Sequence, residues 1–136
     1  MDKLLEEWID DPQRVKNAFI RLRDRLSEKE NTIFTFISRP GVSYSLRAMM
    51  DINGHREPVL LALVDIIDDD PQNRWLSVCF YGEMITDPKE VGDLIPGGLF
   101  GKDGYCFDLF EYDEVMISYI EQRIDEVHRH ILNCKI

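Results

Sequence analysis

The sequence predicts an α+β fold: an N-terminal helix, a four-stranded antiparallel meander, a Gly-rich loop, a fifth strand and a C-terminal helix packed on the sheet. Three observations carry this. Two segments, one near each end, repeat apolar residues at three- and four-residue steps, the period of an amphipathic helix. Between them lie runs of β-branched, aromatic and aliphatic residues separated by turn signals. Two such helices and one sheet close into two layers around one core.

Each element has its own signal. Leu4, Leu5, Trp8 and Ile9 suit a short helix over Met1–Ile9. Asp10-Asp11-Pro12 supplies a cap and a Pro at the first helical position, where its missing N–H costs nothing. Val15, Ala18, Phe19, Leu22 and Leu26 then mark a helix over Asp11–Glu30. Thr32 to Ile37 is β-branched and aromatic, a first strand. Arg39-Pro40-Gly41-Val42 fits a type II turn, with Pro presetting φ and Gly accepting the positive φ that follows. Val42 to Met50 alternates as a second strand, and Asn53-Gly54 marks a hairpin turn. Pro58 to Ile67, apolar except for Asp65, and Trp75 to Tyr81 are strands three and four. Asp68-Asp69-Asp70 between them reads as a solvated turn. After Tyr81 the pattern dissolves, with one helical turn at Asp87-Pro88-Lys89-Glu90. Tyr105 to Phe110 returns as a strand, and Asp113 caps a last helix carried by Met116, Ile120, Ile124, Val127 and Ile131.

No linker or repeat divides the 136 residues, so residues 1–136 read as a single domain. The longest apolar run, Val59 to Val64, is six residues, against the ~20 that span a bilayer. The first ten residues carry four acids and one Lys, unlike a signal or transit peptide. The expectation is a cytoplasmic protein with no membrane association. The three cysteines, Cys79, Cys106 and Cys134, lack metal or redox spacing and are expected as reduced structural thiols.

The formal charge of −10 is concentrated: residues 65–114 hold thirteen acids against Arg74, Lys89 and Lys102. Such a field repels nucleic acid and anionic membrane surfaces. The basic cluster Arg14, Lys16, Arg21, Arg23 and Arg25 runs the other way. It reads as a solvated helix face with local pairs such as Arg21–Asp24 and Arg25–Glu28, or as a stripe that meets a second copy's acidic half.

Motifs for chemistry are mostly missing. Gly97 to Asp103 ends in Gly-Lys, but Pro96 stands where a phosphate loop needs its first Gly and Asp103 where it needs Ser or Thr. No dinucleotide, nucleophile-elbow or zinc-protease motif occurs, so no cofactor and no metal is expected. Glu126, His130 and Cys134 share one helix face with ligand-like spacing, but nothing supplies a fourth ligand. Arg47, His55 and Arg56 near hairpin ends could hold an anion. Within Gly92–Gly104, Leu94, Leu99 and Phe100 are too apolar for an idle loop, and together these six residues are the candidate ligand- or partner-binding set.

Strands three and four are apolar on both faces, so both faces of the sheet are expected to be covered. The helices take opposite faces, or both take one and a second subunit takes the other. In size, acidity and element order the chain resembles the small acidic chaperones of type III secretion, which are α+β homodimers. No motif carries that resemblance and it transfers no residues; the chain also lacks a helix between strands three and four. The functional expectation is a non-enzymatic interaction or chaperone-like module, homodimeric, with a protein partner or small ligand. The alternative is a small-molecule-binding domain with a pocket lidded by residues 92–104.

Overall fold

The computed structural model describes residues 1–52 and 57–133. The expected Asn53-Gly54 turn lies outside them, as do His55, Arg56 and Cys134. The order is α1 (Asp2–Glu7), α2 (Val15–Ser27), β1 (Thr32–Arg39), β2 (Ser43–Met50), β3 (Val59–Ile67), β4 (Trp75–Tyr81), a 3₁₀ turn (Gly82–Met84), β5 (Asp93–Leu99), β6 (Lys102–Leu109) and α3 (Glu114–Asn133). The α+β class stands. The sheet is antiparallel and has six strands in the order β1-β2-β3-β4-β6-β5, not the five expected.

The extra strand is β5, which occupies the segment expected as a Gly-rich loop. Its pairing with β6 makes it a strand despite Pro96, Gly97 and Gly98, which propensity disfavours. Asp87 to Glu90 is a single turn, closed by the Glu90 amide on the Asp87 carbonyl at 3.0 Å, rather than helical. Helix α2 starts later than expected. The Asp11 carboxylate still caps it, accepting from the Val15 and Lys16 amides at 2.9 and 2.8 Å. The Pro40-Gly41 turn forms as read, with φ 83° at Gly41 and the Val42 amide on the Arg39 carbonyl at 2.9 Å. Asp113 caps α3 through the Val115 and Met116 amides at 3.1 and 3.2 Å.

Helices α2 and α3 lie side by side on one face of the sheet. Their buried stripes (Phe19, Leu22, Leu26; Ile117, Ile120, Ile124) form one core with Leu46, Val64, Leu76, Val78, Phe80 and Phe107. Burial of each such side chain contributes ~1.5–3 kcal/mol. The basic stripe of α2 serves this packing. Arg21 bonds Glu114 and reaches Glu121 at 2.8 Å; Arg25 bonds Asp125, which also takes Lys29 at 2.6 Å. The pairs expected for Arg21 with Asp24 and for Arg25 with Glu28 are replaced by a clamp between α2 and α3.

Two local expectations change, one through burial and one through strand register. Asp68 is not solvated but 2% exposed, held by Arg74 Nε at 2.6 Å and the Gly41 amide at 2.9 Å, while Asp69 and Asp70 are exposed. Cys79 and Cys106 are not free thiols but a disulfide joining β4 to β6. They face each other directly in register with Cα atoms 4.1 Å apart, which sequence separation concealed.

Candidate functional site

Among the described residues, no helix covers the second face of the sheet. Register fixes what stands on it. Across β1, β2, β3 and β4, one row reads Ile37, Ser45, Asp65, Ser77; the next reads Thr35, Arg47, Leu63, Cys79. A further row on the other side begins Arg39, Ser43, Ile67, Trp75. Neighbouring strands are ~4.8 Å apart, so the serines leave a shallow floor beside the taller Arg47 and Leu63.

A roof covers one end of this floor. Between Ile95 and Leu99, β5 carries two more residues than the facing stretch of β6, and the bulge at Pro96-Gly97-Gly98 bends the hairpin. Leu99 thereby packs with Leu60 and Cys79 as a second small core, 4% exposed. Gly104 permits this approach, since a Cβ there would meet the Leu99 Cβ at 3.0 Å. The tip is the two-residue loop Phe100-Gly101, with φ values of 51° and 82°. Positive φ at both positions is the requirement of a type I′ turn, which favours Asn or Gly first. Here the first residue is Phe, whose ring stacks under the Arg47 guanidinium at 4.9 Å.

Floor and roof enclose a pocket of about 210 Å³ lined by Ile37, Arg39, Ser43, Ser45, Arg47, Leu63, Asp65, Gly98, Leu99 and Phe100. Two of its charged groups are incompletely satisfied. Arg47 Nε and Asp65 Oδ1 are buried and find no hydrogen-bond partner among the described residues. Burial pushes the Asp65 carboxyl above its usual range, against the opposing pull of Ser45, Arg47 and Arg39. An unmet buried donor or acceptor costs ~1–3 kcal/mol, more when charged. The lining carries two arginines and one aspartate, a positive site in a chain of charge −10.

Of the six candidate residues, Arg47, Leu99 and Phe100 meet in this pocket. Leu94 does not: it lines a separate, wider hollow of about 650 Å³ with Tyr81, Glu83, Lys102, Asp103 and Tyr105. His55 and Arg56 lie outside the described residues. Asp65, Ser45, Ser43 and Arg39 were missed, although Asp65 announces itself as the one polar residue in the apolar run 58–67. Glu126, weighed as a metal ligand, accepts from the Thr86 amide and hydroxyl at 3.0 and 2.9 Å.

A contrasting polar cluster ties the turn after the 3₁₀ segment to the helix side. Asp87 accepts from the Tyr119 and Tyr105 hydroxyls at 2.5 and 2.7 Å and from the Val91 and Gly92 amides at 3.2 and 2.8 Å. Burial alone would raise its carboxyl, but these donors hold it down at about 2, and Tyr105 is pushed up to about 12 by the same bond. That cluster is complete, whereas the pocket's is not.

Fold and pocket together define a two-layer α+β domain with one open, partly roofed sheet face. No family model, no curated protein and no solved structure matches the chain. No helix among the described residues is long and apolar enough to cross a membrane.

Proposed function

We propose that this protein is a small-ligand-binding domain whose site is the pocket between the open sheet face and the β5–β6 tip. The observation that carries the proposal is a pair of buried, unpartnered atoms, Arg47 Nε and Asp65 Oδ1, on two charged residues that line one cavity under one roof. Apolar residues of similar shape are neutral or stabilising in the place of such atoms; a third, Arg123 Nε, lies on the helix side 3.5 Å from Glu126, whereas these two belong to one cavity. A ligand that satisfies both recovers the cost. The test is a fragment screen followed by backbone amide chemical shifts. Hits are expected to move Ser43, Ser45, Arg47 and Gly98 together; hits scattered over the helix side, or none, end the proposal.

A second reading is a non-enzymatic interaction or chaperone-like module acting as a homodimer. The unroofed end of the same face favours it, where Ile67 and Trp75 are only half-buried. A stable dimer there would bury on the order of 1,200 Å² or more in total. Light scattering at tens of micromolar decides it: a monomer removes the dimer and leaves the pocket. A cytoplasmic location belongs to the proposal only if the Cys79–Cys106 pair is reduced in the cell, since reducing compartments keep thiols open. Alkylation and mass measurement on freshly lysed cells reads that directly.

A further inference from the structure

We infer that the pocket's ligand is a small monoanionic hydroxycarboxylate, its carboxylate on Arg47 and its hydroxyl on Asp65. This rests on the pocket reading above and adds the chemical class. Three features of the site narrow the choice. The first is Arg47. One face of its guanidinium lies against Phe100 at 4.9 Å, so a ligand approaches in the guanidinium plane, where the unpartnered Nε lies. In that plane the planar fork offers parallel donors that suit the two oxygens of a carboxylate.

The second feature is Asp65, whose Oδ1 lacks a donor. Asp65 stands two residues along β3 from Leu63, which faces Arg47. Diagonal neighbours of this kind are ~7–8 Å apart at their backbones. Both residues line the one small pocket, so the ligand's acceptor and donor must lie within a short molecule, as they do when hydroxyl and carboxylate share a carbon. The pocket's 210 Å³ sets the same limit, since drug-sized sites run ~300–1,000 Å³.

Charge is the third. Arg39 and Arg47 against Asp65 leave the lining at one net positive charge. A monoanion balances it. A zwitterionic amino acid leaves the excess uncompensated, and a dianion overshoots and faces the Asp65 carboxylate. A simple carboxylate matches the charge but leaves Asp65 Oδ1 as it was. Only an anion with its own hydroxyl donor answers both groups.

The experiment is calorimetric titration of the intact protein near pH 7 with glycolate and L-lactate, with acetate, glycine, glycerol and inorganic phosphate as comparators. Glycolate or lactate is expected to bind at least tenfold more tightly than each comparator. Arg47→Met should weaken that binding at least tenfold with little change in melting temperature, because the loss of the Phe100 contact is offset by removal of a buried, unpartnered Nε. Asp65→Leu should erase the preference of lactate over acetate; it removes a desolvated carboxylate and should fold at least as well as the parent. Acetate equal to lactate would overturn the role of Asp65. Phosphate or glycine binding more tightly would overturn the charge argument. If no hydroxycarboxylate binds while the fragment screen still marks Ser45 and Arg47, the ligand class is wrong and the pocket stands. If the screen is also blank, both are wrong.

Discussion

The two faces of this sheet solve the same burial problem differently. On the helix side, Phe80, Phe107 and Leu46 are fully buried, the α2–α3 acids are each matched by an Arg or Lys, and Asp87 collects four donors. On the open side, burial is partial, the covering element is the chain's own hairpin tip, and Asp65 keeps one oxygen without a donor. The two aspartates make the difference measurable: Asp87 is held at about 2, Asp65 is pushed upward by desolvation. One face is built for stability and its buried carboxylates are satisfied within the chain, with Arg123 Nε on α3 as its unpartnered buried donor. The other retains costs that folding does not require, as a binding surface does.

The largest effect expected from that division is on the helix side. Phe107→Ala removes a side chain packed against Phe80, Tyr105 and Tyr119. It should cost ~3–5 kcal/mol, lowering the melting temperature by on the order of 10 °C or more. Leu99→Ala, in the thin second core, should cost less, about 2 kcal/mol, the low end for such truncations. Equal losses in the two melting curves would mean that the open face contributes to stability as the helix side does, and the division would fail.

Much of the division was legible in the sequence, and the parts that were not share a cause. Strands β1 to β4 and their first turn follow from local pattern, because alternation and Pro40-Gly41 act within a few residues. Asp113 likewise advertises its helix. Strand β5 was unreadable because Pro96, Gly97 and Gly98 deny it propensity and β6 imposes it. The partners of Arg21 and Arg25 lie about 100 residues away on α3, so the sequence offered only the nearer acids. The apolar second face of β3 and β4 was expected to be covered by a helix or a second subunit; within the chain its cover is partial and comes from Leu99, which packs on Leu60 and Cys79. Asp65 was visible as an oddity in its strand. Its meeting with Arg47 and Phe100 needed the register and the bent hairpin.

The aspartates give a pH test of the contrast. Asp87 has its folded pKa depressed to about 2 from 3.8, so its stabilisation is present above about pH 4 and is lost as pH falls toward 2. The shift corresponds to at most ~2 kcal/mol, less after solvent screening. Asp65 has the opposite sign. Its folded pKa is raised, so its ionised form costs stability at neutral pH, and that cost is relieved as pH falls through the raised value. Denaturant unfolding from pH 7 to pH 2 should therefore show Asp87→Asn weaker than the parent at pH 7 and convergent with it near pH 2. Asp65→Leu should gain most at pH 7. A parent and Asp87→Asn separated equally at both ends would show that the hydrogen bonds of Asp87 do not discriminate its ionised form.

The smallest effect on stability is expected at the tip, and it sharpens the comparison most. Phe100 holds a positive φ of 51° at the first position of its turn and is 54% exposed. A β-turn of this type favours Asn there, and a bulky residue held in the left-handed region costs ~1–2 kcal/mol. Its ring offsets part of this by stacking on Arg47, a contact worth ~0.5–1 kcal/mol where exposed. Phe100→Asn exchanges a strained residue for a preferred one and loses that contact. The net change should be a gain of a few tenths to about 1 kcal/mol, seen as a small rise in melting temperature. Ligand binding should move the other way, since the variant opens the roof and frees the guanidinium face that directs the ligand into its plane. A variant that melts higher and binds lactate several-fold more weakly would show that the tip's strain is kept for the site. A variant that melts lower would place Phe100 with Leu99 in the folding core, and would leave the pocket without its roof's rationale.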